Sequence, residues 1–212
     1  SVTRFAMAQR EIGLAVGEPP ASRGYVPSVF SILPRLLERT GMSEAGAITA
    51  IYTVLVEGDD HNEPIADALR GLLDGHLVLS RDLAAKAHWP PIDILHSLSR
   101  LQPHLVSREA LQATAIARQH LSEYHRHADL ISIGAYRQGS DPRVDTAIAM
   151  RDPLNMFLQQ EATQITTLED SKRMLAQIVS AQPVNPQANV DVTAQNAPAE
   201  SMVEESPGVA TN

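Results

Sequence analysis

Residues 90–100 read PPIDILHSLSR. Two prolines open the stretch, an aliphatic run follows, and two serines spaced two apart lead into an arginine. The run from Ile92 to Ser99 predicts a β-strand, because prolines are tolerated at a strand's entrance and the aliphatic positions that follow pack on a pleated surface. Arg100 then stands at the carboxyl end of that strand, with no acid among the next eight residues to pair with it. Two readings of Arg100 are open from the residues alone. It is a structural or surface arginine, or it is an anion site, since guanidinium stays charged and offers a fork of donors that matches phosphate oxygens. Ligands of parallel α/β sheets gather at the carboxyl ends of strands, where this arginine lies.

Working outward, HLVLS (76–80) predicts a second strand, and residues 81–87 a short helix between the two. AITAIYTVLV (47–56) is β-branched and mostly apolar, the pattern of a strand buried on both faces of a parallel sheet. Before it, residues 2–14 form an amphipathic helical pattern on Phe5, Ala8, Ile12 and Ala15. GEPPASRGYVP (17–27) reads as a loop, and residues 28–39 as a helix capped by Ser28 with a possible kink at Pro34. After the acidic turn EGDD, Asn62 is placed to cap a helix over 63–74, with Gly75 at its stop. Strands alternating with helices give an α/β layer with a parallel sheet over residues 1–106.

Beyond Ser107 the β pattern ceases. Leu111, Ala115, Leu121, Tyr124, Ala128 and Ile131 trace one face of a long helix, and shorter helices are expected over 142–150, 152–162 and 167–181. Residues 107–181 are therefore a helical domain. The last 31 residues, 182–212, hold four prolines, four acids, no base and no aromatic residue, a composition that predicts a disordered acidic tail.

With 25 acidic against 17 basic residues in 212, general attraction to nucleic acid is not expected. The uncharged apolar run 45–56 is too short to span a bilayer, so an integral membrane protein is not expected either. The chain has no cysteine, which excludes disulfides and thiolate metal sites and makes a cytosolic protein the default. His120, His125 and His127 lack a completing acid at a convincing spacing and read as surface histidines. The chain starts at Ser1 and soon enters a helical pattern, as a segment cut within a domain would.

PPIDILHSLS resembles the signature of the rotary-type ATPase α/β family, in which proline, a small residue or proline, an aliphatic residue and Asp precede serine-x-serine. The opening SVTRFAMAQREIGLAVGEPPASRGYVPSVFSILPRLLERTG is similar to the segment that follows the family's magnesium-site aspartate. YTVLVEGDDHNEPIADALRGLLDGHLVLSR is nearest to the flagellar and type III secretion export ATPases, and the resemblance runs over residues 1–181. It implies a partial RecA-like sheet with flanking helices, followed by the helical domain. It also implies ATP and Mg²⁺ as cofactors, with the magnesium ligands largely upstream.

The site residues follow from the same resemblance. Arg100 is implied as the arginine finger that reaches the γ-phosphate held by the neighbouring subunit of a homohexameric ring. Arg4 is implied to help hold phosphate, with Ser1 beside that pocket. A surface ion pair of Arg4 with Glu11 or Glu18 is the competing reading. Trp89 stands where the family stacks an aromatic on adenine, core filling being its alternative, and Phe157 falls near a second adenine-pocket aromatic. Asp59 and Asp60 match a turn facing the central pore, where an export ATPase meets a coiled-coil stalk protein. Their alternative is a solvated turn capping the next helix.

No GxxxxGK[ST] phosphate loop occurs in the 212 residues, and its lysine is what contacts the β and γ phosphates. The expected function is thus that of the C-terminal part of an export ATPase, inactive by itself. It would be cytoplasmic and peripheral to an inner-membrane secretion apparatus, serving exported proteins and their chaperones. An ATP synthase subunit and a non-enzymatic assembly module are the two alternatives.

Overall fold

The computed structural model describes residues 1–56, 58, 60 and 62–181. The expected tail at 182–212 and Asp59 lie outside the described residues. No helix of the described residues is long and apolar enough to cross a membrane.

Helix α1 (Val2–Ala15) buries Val2, Thr3, Ala6 and Gly13, a different face from the one its larger apolar residues predict. Ile12 is instead 58 % exposed and Ala8 faces solvent. The reason is close packing at the far end of the helix. A Cβ on Gly13 would come within 2.6 Å of both Val26 Cγ2 and Glu18 Oε2, so only glycine lets the following loop lie against the helix. That loop delivers α2 (Pro27–Leu37), with Pro27 in its first turn, where its missing N–H costs nothing. Ser28 does not cap the helix with its hydroxyl. Its amide donates to Glu18 Oε1 at 2.7 Å, so a distant carboxylate supplies the negative charge that a helix start favours. Pro34 sits inside α2, while Val29 and Leu33 beside it are fully buried.

The stretch 47–56 is extended but is not a two-sided buried strand. Its first residues close a small antiparallel hairpin, β1 (Gly41–Ser43) with β2 (Gly46–Ile48), in the register Met42 opposite Ala47. From Ile51 to Val56 exposure alternates: Ile51, Thr53 and Leu55 face out, and Tyr52, Val54 and Val56 are half-buried. Three hydrogen bonds hold this segment to α1, Val2 N to Thr53 O at 3.0 Å, Leu55 N to Thr3 Oγ1 at 2.8 Å and Thr3 Oγ1 to Leu55 O at 3.5 Å. Tyr52 and Val54 pack on the first core cluster, made by Val2, Ala6, Tyr25, Val26, Val29, Leu33, Ile65 and Leu69.

Helix α3 (Pro64–Leu72) is capped by Glu63, not Asn62. The Glu63 carboxylate accepts from Ala66 N at 2.9 Å, and Pro64 follows at the first helical position. Next come β3 (Gly75–Leu79), α4 (Arg81–Ala85) and β4 (Ile92–Ser99), at the positions expected. The α/β class therefore stands, but β3 and β4 pair antiparallel where a parallel pair is expected. A five-residue helix rises only about 7 Å, whereas returning along a five-residue strand takes roughly 16 Å. Too short for a crossover, α4 acts as a wide turn.

The second core belongs to α6 (Arg108–Ser132), α7 (Pro142–Leu158) and α8 (Leu168–Ser180), around Ala117, Met150, Leu154 and Val179. On α6 the buried residues are Ala113 and Ala117, and Ala115 is exposed. Small side chains let the neighbouring helices approach there. The two helices expected over 142–162 are one, because α7 continues through Pro153. An interior proline forfeits one backbone hydrogen bond, but its neighbours Met150 and Leu154 are anchored in the core. A short helix, α5 (Gln102–Leu105), joins β4 to α6.

Candidate functional site: an arginine at the end of a kinked strand

Two of the expected site residues, Trp89 and Arg100, flank the ends of β4, and a kink interrupts the strand between them. Asp93 Oδ1 accepts from the amides of Leu95 at 2.9 Å and His96 at 3.0 Å, which folds the backbone into a tight turn within the strand. His96 Nδ1 lies 2.8 Å from Asp93 Oδ2. Burial pushes the Asp93 carboxyl up, but the hydrogen bonds from the His96 ring and from the His96 and Leu95 amides outweigh it, leaving the group below its ordinary value. Ser97 closes the turn. Its hydroxyl donates to Asp93 O and accepts from Val78 N at 2.9 Å, where the β3–β4 register shifts. The aspartate and first serine of the PPIDILHSLS stretch are thus the two side chains that build the kink.

Beyond it, Arg100 is exposed and is held by the end of another helix. Its guanidinium donates to Arg70 O at 3.0 Å and Gly71 O at 3.3 Å, in the last turn of α3. Its backbone amide donates to Asp74 O at 2.8 Å. A helix C-terminus carries unsatisfied carbonyls and a partial negative charge, so it is a natural seat for a cation. Guanidinium has five N–H donors, and these two contacts leave donors for an incoming anion.

At the other end of β4, Trp89 is 55 % exposed, which rules out core filling. It borders a cleft of about 620 Å³ together with Pro90 and the segment after α7, Gln159 to Ala162 and Gln164. That segment is tied down by Gln160 N donating to Trp89 O at 2.8 Å and by Gln159 Nε2, 3.4 Å from the ring of the buried His88. An exposed indole beside amide-bearing side chains fits a planar base with polar edges. Phe157 is half-buried and does not line this cleft.

The remaining expected residues lie apart from β4. Arg4 is exposed on α1 and makes no ion pair with Glu11 or Glu18, Glu18 being engaged with Ser28. Ser1 is exposed at the start of the same helix. Asp60 forms an ion pair with Arg23 and accepts from Asn62 N at 3.0 Å, so this carboxylate braces the turn before α3. The Asp60 carboxylate holds the Arg23 guanidinium above its ordinary value. Among the described residues no group of three or more His, Asp and Glu is placed to hold a metal ion. His127 is instead engaged with Glu123 on its own helix.

Residues 1–99 match the model of the ATP synthase alpha/beta family, nucleotide-binding domain, and residues 106–177 match the T3SS EscN ATPase C-terminal domain. Residues 1–99 belong to the ATP synthase alpha/beta family. A flagellum-specific ATP synthase of Bacillus subtilis is 56 % identical over 171 residues, covering 81 % of this chain and 39 % of that protein. The assembled ATPase EscN of the enteropathogenic E. coli type III secretion system superposes with a TM-score of 0.81 at 47 % identity, over 84 % of this chain and 43 % of EscN. EscN in complex with its central stalk EscO gives 0.74 at 45 % identity, over 84 % and 42 %. The chain thus spans about two fifths of the length of the family members it matches.

One arginine escapes the motif reading. Arg118 of α6 donates to Ile94 O at 2.5 Å, Leu95 O at 3.1 Å and Ser97 O at 3.3 Å, the carbonyls of the β4 kink. A signal for it exists in the sequence. Arg118 sits beside Ala117 on the packed side of its helix, and no acid stands three or four residues away on either side.

Proposed function

We propose that this chain is the C-terminal region of a protein-export ATPase subunit of the flagellar or type III secretion kind, with Arg100 as the arginine finger. The supporting observation is the seat of Arg100: a permanent cation at the end of β4, gripped from behind by two carbonyls, with donors left over. Phosphoryl transfer spreads negative charge over equatorial oxygens, and an arginine finger contributes about 10³ to 10⁵ in rate in other systems. Trp89 and Arg100 flank opposite ends of β4. In this reading the ATP that Arg100 serves is held by the neighbouring subunit of a ring.

In this reading Arg4 and Ser1 lie near phosphate, Trp89 stacks on adenine and Phe157 backs the adenine pocket from its half-buried position. The segment holding Asp59 and Asp60 faces a stalk protein. ATP is bound with Mg²⁺, whose ligands lie outside the described residues. Residues 1–106 complete a nucleotide-binding domain, 107–181 form the helical domain and 182–212 are an appended tail. The subunit works at the cytoplasmic face of a secretion apparatus, on exported proteins and their chaperones.

The test uses the longer subunit that carries this region together with a phosphate loop. Arg100→Ala is expected to abolish most hydrolysis while ATP binding survives. Mixing it with a phosphate-loop mutant restores part of the activity, because some interfaces then pair an intact finger with an intact loop. Mixed rings that form without any rescue would refute a finger acting between subunits.

A further inference from the structure

Arg118 is a half-buried cation in the helical domain that donates three hydrogen bonds to backbone carbonyls of β4. Hydrogen bonds from a charged donor are stronger than those between neutral groups, so three of them on one guanidinium form a strong tie. The acceptors are not spread along the strand. They are Ile94, Leu95 and Ser97, the carbonyls that the Asp93 turn gathers on one side of the kink. Ser97 is only three residues before Arg100. On the other side of Arg100, the carbonyls of Arg70 and Gly71 hold the guanidinium itself. The arginine is thus suspended between α3 and a strand segment that α6 grips.

We propose that Arg118 is a positioning residue for Arg100. By holding the β4 kink, it makes the helical domain set where the Arg100 guanidinium points, so that a shift of α6 moves Arg100 toward or away from the anion it serves. This rests on the function proposed above, and it adds a control input that the finger itself does not contain. A displacement of about 1 Å in a catalytic constellation can cost about 10²-fold in rate, so a small movement of α6 is enough to gate turnover.

The experiment compares Arg118→Met, Arg118→Lys, Arg100→Ala and the double variant Arg100→Ala with Arg118→Met in the longer subunit. It reads kcat, KM for ATP, nucleotide affinity, ring assembly and thermal unfolding. Arg118→Met is expected to lower kcat by about tenfold to a hundredfold, with KM, affinity and assembly unchanged. Arg118→Lys, which still offers charged donors to the same carbonyls, regains part of the rate. In the double variant Arg118→Met adds no further loss, because the two residues act through one guanidinium. The proposal is overturned by an unchanged kcat in Arg118→Met, by a lysine variant no better than the methionine, or by independent losses in the double variant. Should Arg118→Met not assemble, Arg118→Gln replaces it with the same expectations. If Arg100→Ala alone leaves turnover intact, the finger reading falls and this inference with it. A damaging Arg100→Ala beside a silent Arg118→Met overturns this inference alone.

Discussion

Asp93 organises the kink as a carboxylate that accepts three hydrogen bonds, a task its protonated form does less well. Since its folded value lies below its ordinary one, ionised Asp93 stabilises the fold. That stabilisation is fully present above the unfolded carboxyl value near 3.9 and is lost as pH falls through the lower folded value. Asp93→Asn removes the titration. Variant and wild type are therefore expected to differ in melting temperature near neutrality and to converge under acid, as thermal melts across pH will record. A gap that stays constant down to strong acid would show that the charge on Asp93 is irrelevant to the kink.

The β3–β4 hairpin has its tightest point at Gly75, opposite Ser99. A Cβ there would lie 2.5 Å from Leu98 O and 3.1 Å from Ser99 Cα, backbone atoms that cannot swing aside. Gly75→Ala is expected to destabilise the protein by about 1–3 kcal/mol, read by urea denaturation, and to displace Ser99 and Arg100 together. The sequence announces this element well, since strand positions, the intervening short helix and the terminal arginine are all legible from periodicity and turn residues. Its direction is not legible, because strand pairing depends on the length that α4 fails to span. Residues 51–56 show the opposite limit. Their β-branched character marks an extended segment, but a local pattern does not say how many of its faces will be covered. On α6 the long apolar residues attract attention, while close contact is made by Ala113 and Ala117, whose small size is itself the packing signal. Arg100 and Trp89 were singled out as candidates because a family motif covers them. The tie from Arg118 crosses between two parts of the chain, so no local pattern contains it.

For the molecule as a whole there are two separate cores, one built on α1, α2 and α3 and one on α6, α7 and α8, and large apolar side chains remain outside both. Ile51 is 95 % exposed, Leu77 72 % and Leu79 64 %. These residues place an apolar face on extended backbone in contact with water, a combination that favours association between chains. The purified 212-residue chain is expected to self-associate at micromolar concentration and to show no steady ATP hydrolysis, the phosphate loop being absent from its sequence. Analytical ultracentrifugation and a coupled phosphate assay will check the two outcomes. A monodisperse monomer or sustained turnover would each contradict this account.

The seat of Arg100 has one more consequence, for its behaviour in salt. A carboxylate in that position would cancel the charge it anchors, and the pair would loosen as counterions accumulate. Two peptide carbonyls hold the guanidinium through dipoles, which leaves its full unit of positive charge available to whatever anion arrives. Rising ionic strength therefore shortens the distance over which Arg100 is felt, to about 8 Å under physiological conditions, while the hydrogen bonds that aim it are left in place.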